Sequence, residues 1–400
     1  MNDGEVVRFS KKSVKYTIAI VNWLIYSIIV GGTTTPVNDT FSNIWYLFSI
    51  LLFIYTIFVS YYRNVNYKII FLFAMVMGVI SIVTYTSNYS PLLAWGLMIF
   101  AVRDIECDFI VSVYFKTFIA LGILIPLMAV TGLISNTVMD TVGITGKRYA
   151  YGFTHPNVLG AVLLVIVICW CYLHWKSIKL YHIVIINLLS YGMMQITDSS
   201  SSFICIAFIS VIALLERWFD KKSKLNVWYF GIIVLLIFCP AISYYFMVKY
   251  TPSNPLMLAI DLFTTGRLRT MNAFFVKYGV KILGNPIIFD MERRSLLLFA
   301  LDNSYGYILI RFGIIVSLFY FMGLFKVIKR AIQIRDTRII ICVLTFLVYG
   351  LFENYFFKIQ FNFTLLFIFA NYYGNSNKLR VKKWRVVNHE DWSNYISWCR

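Results

Sequence analysis

Residues 147–175 read KRYAYGFTHPNVLGAVLLVIVICWCYLHW, a polar and aromatic corner that turns, at Pro156, into a long apolar run. A run of about 20 apolar residues is enough to cross a hydrocarbon core of about 30 Å. Proline suits the first turn of a helix, because its missing N–H would have no partner there in any case. The text therefore predicts a membrane span over 156–175, with His155, Pro156 and Asn157 at its entrance. A helix start presents unpaired N–H groups and partial positive charge, which suit an anion. Arg148 and His155 add formal or potential charge beside it. A span that begins at a membrane surface in this way makes a candidate phosphate-binding corner.

Composition generalises the reading. The 400 residues are 60% hydrophobic and 14% charged, with a mean hydropathy of +0.74. Soluble domains carry roughly a quarter charged residues. The chain is thus expected to be an all-α polytopic membrane protein. A net charge of +18 is the first sign of a nucleic-acid binder, but cytoplasmic loops of membrane proteins gather Lys and Arg for another reason, the positive-inside rule. No nucleic-acid partner is expected. The basic first fifteen residues resemble the start of a signal peptide, yet no small-residue cleavage site follows, so residues 16–30 read as a retained span. The cysteines (Cys107, Cys169, Cys171, Cys205, Cys239, Cys342, Cys399) form no CxxC pair and read as small buried hydrophobes rather than zinc ligands or disulfides.

Applying the length criterion along the chain gives twelve spans, near 14–31, 41–62, 68–86, 89–102, 109–134, 156–175, 180–196, 201–216, 226–247, 304–324, 338–352 and 359–373. With both termini cytoplasmic, every inner loop is short and most are basic. The exceptions gather in two long extracytoplasmic segments. Residues 135–155 carry Lys147 and Arg148; residues 248–303 carry Lys249, Arg267, Arg269, Lys277, Lys281, Arg293 and Arg294. Within the second, RLRTMNAFFVKYGVKI reads as an amphipathic helix capped by Gly266 and the threonines before it. Leu268, Met271, Phe275, Tyr278 and Ile282 recur at helical spacing on an apolar stripe, with Arg267, Thr270, Lys277 and Lys281 on another. Such a helix either lies in the interface plane or simply covers the protein. Residues 374–400 mix basic and aromatic residues and read as a cytoplasmic tail on the membrane surface. No repeat, linker or soluble domain separates from the single membrane domain, 1–400.

The outer side collects the residues suited to chemistry. An outer arginine is ordinarily a solvated or headgroup-facing charge, but Arg148 shares its corner with His155 and a helix start, and Arg267 opens the amphipathic helix. Guanidinium groups bind phosphate oxygens through paired hydrogen bonds. His155 is a capping histidine, a pyrophosphate contact or a general base; Asp302 is an ordinary N-cap or a base. Asn157 reads first as structural. Arg311 lies inside a span, where a charge must face protein or water, about two turns from Asp302. Glu353, at the outer end of the eleventh span, is similar in kind but weaker. The inner group Arg103, Asp104, Glu106 and Asp108 reads as a solvated turn. No metal site and no cofactor are expected.

At RYAYGFTHPNVLG, TTGRL and LDNSYGYILIRFG the chain resembles the Wzy-type polysaccharide polymerases of the O-antigen ligase/polymerase superfamily, membrane glycosyltransferases with a GT-C-like helical fold. The three stretches cover under a tenth of the chain, and their order and outer placement agree with that family. The chain departs from it at residues 196–202, ITDSSSS, where members often carry an arginine; Asp198 stands there with no basic residue. The resemblance implies an enzyme of capsule, O-antigen or exopolysaccharide biosynthesis. Its donor would be an undecaprenyl-pyrophosphate-linked oligosaccharide. The growing glycan would pass to the non-reducing end of an incoming lipid-linked repeat unit. It places Arg148, Arg267, Arg269, Arg311 and Asn157 at pyrophosphate and His155 or Asp302 at the acceptor hydroxyl, and leaves room for a partner protein that sets chain length. Two alternatives share the sequence features: a ligase-like transferase with the same donor, and a twelve-span lipid-linked oligosaccharide flippase or transporter. Transporters usually show two related halves and midplane sites, which this chain lacks.

Overall fold

The computed structural model describes residues 11–61, 67–103, 105–140, 147–218, 221–290 and 297–372, with side chains left aside for a few residues inside those ranges. The basic tail, Asp104, Arg293 and Arg294 lie outside the described residues. The chain is an all-α polytopic membrane protein: among the described residues, eight helices are long and apolar enough to cross a membrane.

The helices are α1 Lys11–Gly32, α2 Asp39–Tyr61, α3 Tyr67–Ser87, α4 Pro91–Ala101, α5 Cys107–Val130, α6 Pro156–His174 and α7 Leu180–Thr197. They continue with α8 Ser200–Trp218, α9 Lys221–Lys249, α10 Pro255–Phe263, α11 Arg267–Tyr278, α12 Ser304–Tyr307, α13 Gly313–Ile334 and α14 Thr337–Phe352. Helices stand at the first eleven expected spans, although α4, α8 and α14 are the shorter ones. Helix α14 is the central column, packed against α6, α8, α9 and α13. Its sequence, TRIIICVLTFLVYGLF, is apolar on every side, and Ile339–Leu347 are buried without interruption. A helix greasy all round belongs inside a bundle.

The twelfth expected span is not a helix. The described part of that stretch, 359–372, holds only a short 3-10 turn, Phe363–Ile368, yet residues 353–372 still run from one end of the bundle to the other. Glu353 sits beside Arg267, while the Asn371 N–H donates to Ile105 O at 2.7 Å in the α4–α5 turn. Irregular backbone at membrane depth is tolerated only where protein supplies the lost hydrogen bonds. Here Tyr114 OH donates to Ile359 O, Tyr320 OH to Phe356 O, Asn362 Nδ2 to Phe356 O and Arg330 Nη1 to Ile368 O. Almost every residue from Tyr355 to Phe367 is buried.

Two further features were not foreseen in the sequence. Strands β1 Val138–Asp140 and β2 Lys147–Tyr149 form a small antiparallel hairpin with Met139 opposite Arg148. Between α12 and α13 the helix widens into a π-turn, Ile308–Phe312, and breaks at Gly313. There the extended chain at 281–285 docks on it: Asn285 N–H donates to Arg311 O and Ile314 N–H to Lys281 O. Gly284 must be glycine, because its φ is +80° and an added Cβ would lie 2.1 Å from Arg311 O.

Candidate functional site

The corner forms as its residues dictate. Helix α6 begins at Pro156, and His155 is its extended N-cap, with Nδ1 accepting the Asn157 N–H at 3.1 Å. Thr34 N–H and Thr154 N–H tie the corner to the end of α1 through Gly152 O and Gly32 O. Gly160 lets α6 lie against the α7–α8 turn, where an added Cβ would fall 2.4 Å from Ser199 Oγ. That approach brings Thr197, Asp198 and Ser201 up to Arg148 and Glu353. The ITDSSSS stretch thus supplies acceptors for Arg148: its Nε donates to Thr197 O at 2.9 Å and lies 3.8 Å from Asp198 Oδ2.

Helix α11 is capped differently from the expectation. Gly266 takes a left-handed φ of +84° and gives no side-chain cap; the Asp261 carboxylate of α10 reaches over instead. Asp261 Oδ1 accepts the Leu268 and Arg269 N–H groups at 2.9 and 3.0 Å. The expected stripes are also rotated. Leu268, Thr270, Met271 and Phe274 form the buried face, whereas Phe275 is only half-buried and Lys277 is exposed. Arg267 therefore points inward from the first turn.

Arg148 and Arg267 meet through two intermediaries. Arg148 Nη2 donates to Asn157 Oδ1 at 2.6 Å, and Asn157 Nδ2 donates to Glu353 Oε1 at 3.0 Å. Arg267 Nη2 donates to the same Glu353 oxygen at 2.7 Å, and Ser201 Oγ donates to it at 2.8 Å. Arg267 Nε lies 3.8 Å from Asp302 Oδ2 but has no hydrogen-bond partner. Ser304 Oγ fixes the Glu353 carbonyl from the start of α12. Five separated parts of the chain converge: the β2 corner, the α7–α8 turn, the α11 start, the approach to α12 and the end of α14.

Electrostatics follow from burial. Glu353 is 3% exposed in its side chain, and desolvation pushes its carboxyl up, to about 7, against the opposing pull of Arg267. Burial also raises Asp302, again opposed by Arg267. Desolvation, with Arg148 and Arg267 nearby, holds His155 down at about 4, so its ring is neutral at pH 7. Because Nδ1 accepts the Asn157 N–H, the ring proton sits on Nε2. His155 thus presents a donor, which suits an anion better than the general-base role.

The other expected site residues divide. Asn157 is in the network, linking both arginines. Asp302 is beside Arg267 but is not the N-cap; Asn303 caps α12 by accepting the Gly306 N–H. Arg269 turns away, half-exposed, to within 3.6 Å of Asp261, so its expected place at the pyrophosphate is corrected. Arg311 is buried but apart: Nη1 donates to Tyr307 OH at 2.6 Å and Nη2 reaches Asn88 O at 3.4 Å. Glu353, treated in sequence as a lesser candidate, is the hub. Its signal was an acidic residue at the end of an apolar run, too common to single out.

At the far end of the bundle Asp108 of the expected solvated turn is exposed, as read, and also holds polar partners. Asp108 accepts from Tyr172 OH at 2.8 Å and pairs with Arg338 at 3.2 Å. Six cysteines are buried and unpaired. Among the described residues no group of three or more His, Cys, Asp or Glu side chains could hold a metal ion.

No protein-family model matches the chain, no curated protein matches it, and no solved structure matches it.

Proposed function

We propose that the chain is a polysaccharide polymerase of the cytoplasmic membrane. It transfers a growing glycan from undecaprenyl pyrophosphate to the non-reducing end of an incoming lipid-linked repeat unit. In this reading the bundle crosses twelve times with both termini cytoplasmic, residues 353–372 being the last crossing. The Arg148–Glu353–Arg267 site then faces outward, on the side of the two long loops. The observation that carries the proposal is the convergence of Arg148 and Arg267 on one buried carboxylate, with Arg267 Nε left without an acceptor. Two guanidinium groups that share one carboxylate are arranged for a ligand with two adjacent anionic centres.

Arg148 and Arg267 take the oxygens of the leaving pyrophosphate and stabilise the charge that grows as the glycosyl bond breaks. His155, neutral with its proton on Nε2, donates a further hydrogen bond. Asp302 is one-third exposed beside Arg267, and burial raises its proton affinity. It is the base that removes the proton from the acceptor hydroxyl. Glu353 holds the arginines in register while no substrate is present.

The test is to reconstitute the purified protein with lipid-linked repeat units and size the products. A ladder of lengthening glycans, formed without any ion gradient, is the expected result. Movement of the units across the bilayer with no new glycosidic bond would replace the enzyme reading with a transport one.

A further inference from the structure

A polymerase of this kind must hold two lipid-linked substrates at once, and the Arg148–Arg267 network accounts for one pyrophosphate. A second cationic group lies at the same end of the bundle. Arg311 is 8% exposed and sits between two rings, 4.5 Å from the Tyr89 centroid and 5.5 Å from that of Tyr307. Its Nε is buried with no hydrogen-bond partner, and among the described residues no carboxylate oxygen lies within 4 Å of it. Among the described residues Lys358 donates to Asn354 Oδ1 at 2.7 Å, lies 4.7 Å from the Tyr355 ring and likewise has no carboxylate within 4 Å. The Asp302 and Glu353 carboxylates act on the Lys358 ammonium from beyond 4 Å, and Arg311 lies near it as well. Buried charges are ordinarily paired; Arg311 has no such partner among the described residues, and Lys358 shares Asp302 and Glu353, at longer range, with Arg267.

Beside them runs an apolar crevice of about 260 Å³ between α3, α4, α13 and the irregular chain at 353–372, lined along its length by Leu72, Trp95, Phe312, Met322, Phe357 and Phe369. From Phe312 to Met322 its α13 wall spans about 15 Å at the helical rise of 1.5 Å per residue. The cations lie behind its aromatic wall rather than in its lining. Tyr89, beneath Arg311, packs on Trp95 and Phe312, Tyr307 stacks on Phe357 at 4.6 Å, and the Lys358 ammonium is 5.9 Å from the Phe357 ring. A long apolar slot with two cations beside one end, one of them keeping a buried Nε without a partner, matches a ligand with a hydrocarbon tail and an anionic head.

We propose that Arg311 and Lys358 bind the pyrophosphate of a second polyisoprenyl-linked substrate, the acceptor unit, with its isoprenoid tail in the crevice between α3, α4 and α13. This rests on the polymerase reading, which supplies the need for a second lipid. The two lipids are held at one end of the bundle, the donor by Arg148 and Arg267 and the acceptor by Arg311 and Lys358. The π-turn that displaces Arg311 from a regular helical path is then part of the site, as such turns often are.

The experiment counts undecaprenyl pyrophosphate bound per protein in phosphatidylcholine nanodiscs by native mass spectrometry. Wild type is expected to bind two. Arg311→Gln is expected to bind one, with the second at least tenfold weaker. Ile99→Trp, which narrows the crevice without touching a charge, is expected to lose the same lipid. Arg148→Gln with Arg267→Gln is expected to lose the other. Two lipids retained in both Arg311→Gln and Ile99→Trp would overturn the proposal, as would displacement of the second lipid by equimolar phosphatidylglycerol. A single lipid in wild type, lost only with Arg148 and Arg267, would overturn this inference and leave the polymerase reading standing. No loss from the Arg148 and Arg267 variants would instead count against that reading.

Discussion

Arginines meet carboxylates at both ends of this bundle, and the two meetings are built differently. At one end Arg338 forms a forked pair with Asp336, with Nε and Nη2 at 3.0 and 2.7 Å from its two oxygens. Arg338 also reaches Asp108 at 3.2 Å and covers the Tyr172 ring at 4.5 Å. Asp336 in turn caps α14 by accepting the Arg338 N–H. One guanidinium has two carboxylates, and the acids outnumber the cation. At the other end Arg148, Arg267 and Lys358 share Asp198, Asp302 and Glu353, Arg311 stands apart from them, and Arg267 and Arg311 each keep a buried Nε without a partner. A saturated cluster fixes a helix end. An undersupplied one is arranged for an anion that arrives later, because leaving a buried donor unmade is expensive.

The largest effect that separates the ends is on activity. Arg148→Ala or Arg267→Ala is expected to reduce chain elongation about 100-fold, the scale of losing one charge-stabilising group. Arg338→Ala is expected to lower the melting temperature, by about 1 kcal/mol of stability for a partly exposed pair, while elongation per folded molecule stays within about threefold. Equal activity losses at both ends would erase the distinction.

A change in pH sharpens it next. Glu353 is raised in the fold, so the folded state holds a proton that the unfolded chain has released between its ordinary value and about 7; its contribution falls as pH rises through that window. His155 is lowered to about 4, so between about 4 and its ordinary value the unfolded chain holds the extra proton, and its contribution grows with pH. The two oppose each other. Against wild type, Glu353→Gln is expected to gain thermal stability more steeply between pH 4.5 and 6.5, and His155→Gln to lose it. Parallel melting curves for all three proteins would show that neither group is buried as described.

Smaller effects probe how the site is held. Gly160→Ala places a Cβ against Ser199, and by separating α6 from the α7–α8 turn it is expected to lower elongation about tenfold, within the range for a small misplacement of positioning groups. Arg269→Ala is expected to change elongation by less than about twofold, since that side chain is half-exposed and turned to Asp261. A loss as deep as that of Arg267→Ala would return Arg269 to the binding site.

Features with local causes were legible in the text. The start of α6 at Pro156 could be read from a proline and its cap, and the positions of Arg148, Arg267 and Asp302 near helix starts from neighbouring residues. Glu353 could not, because its partners Arg267, Ser201 and Asn157 lie 86, 152 and 196 residues away. The capping of α11 by Asp261 was missed for a related reason: the acceptor belongs to α10, a helix announced only by Asn254 and Pro255. The stretch at 353–372 looked like a span from its hydropathy, but Asn354, Lys358, Gln360 and Asn362 interrupt it. Side chains such as Tyr114 and Tyr320, from distant helices, make that irregular path tenable. The three-residue strands of the hairpin are too short to show an alternating pattern.

The most direct measurement is calorimetric titration of the purified protein with farnesyl pyrophosphate, a short-chain ligand carrying the same head. Arg148→Ala and Arg267→Ala should each weaken binding tenfold or more, with Arg338→Ala unchanged. Undiminished affinity in both of the first two variants would contradict the claim that Arg148 and Arg267 grip one diphosphate together.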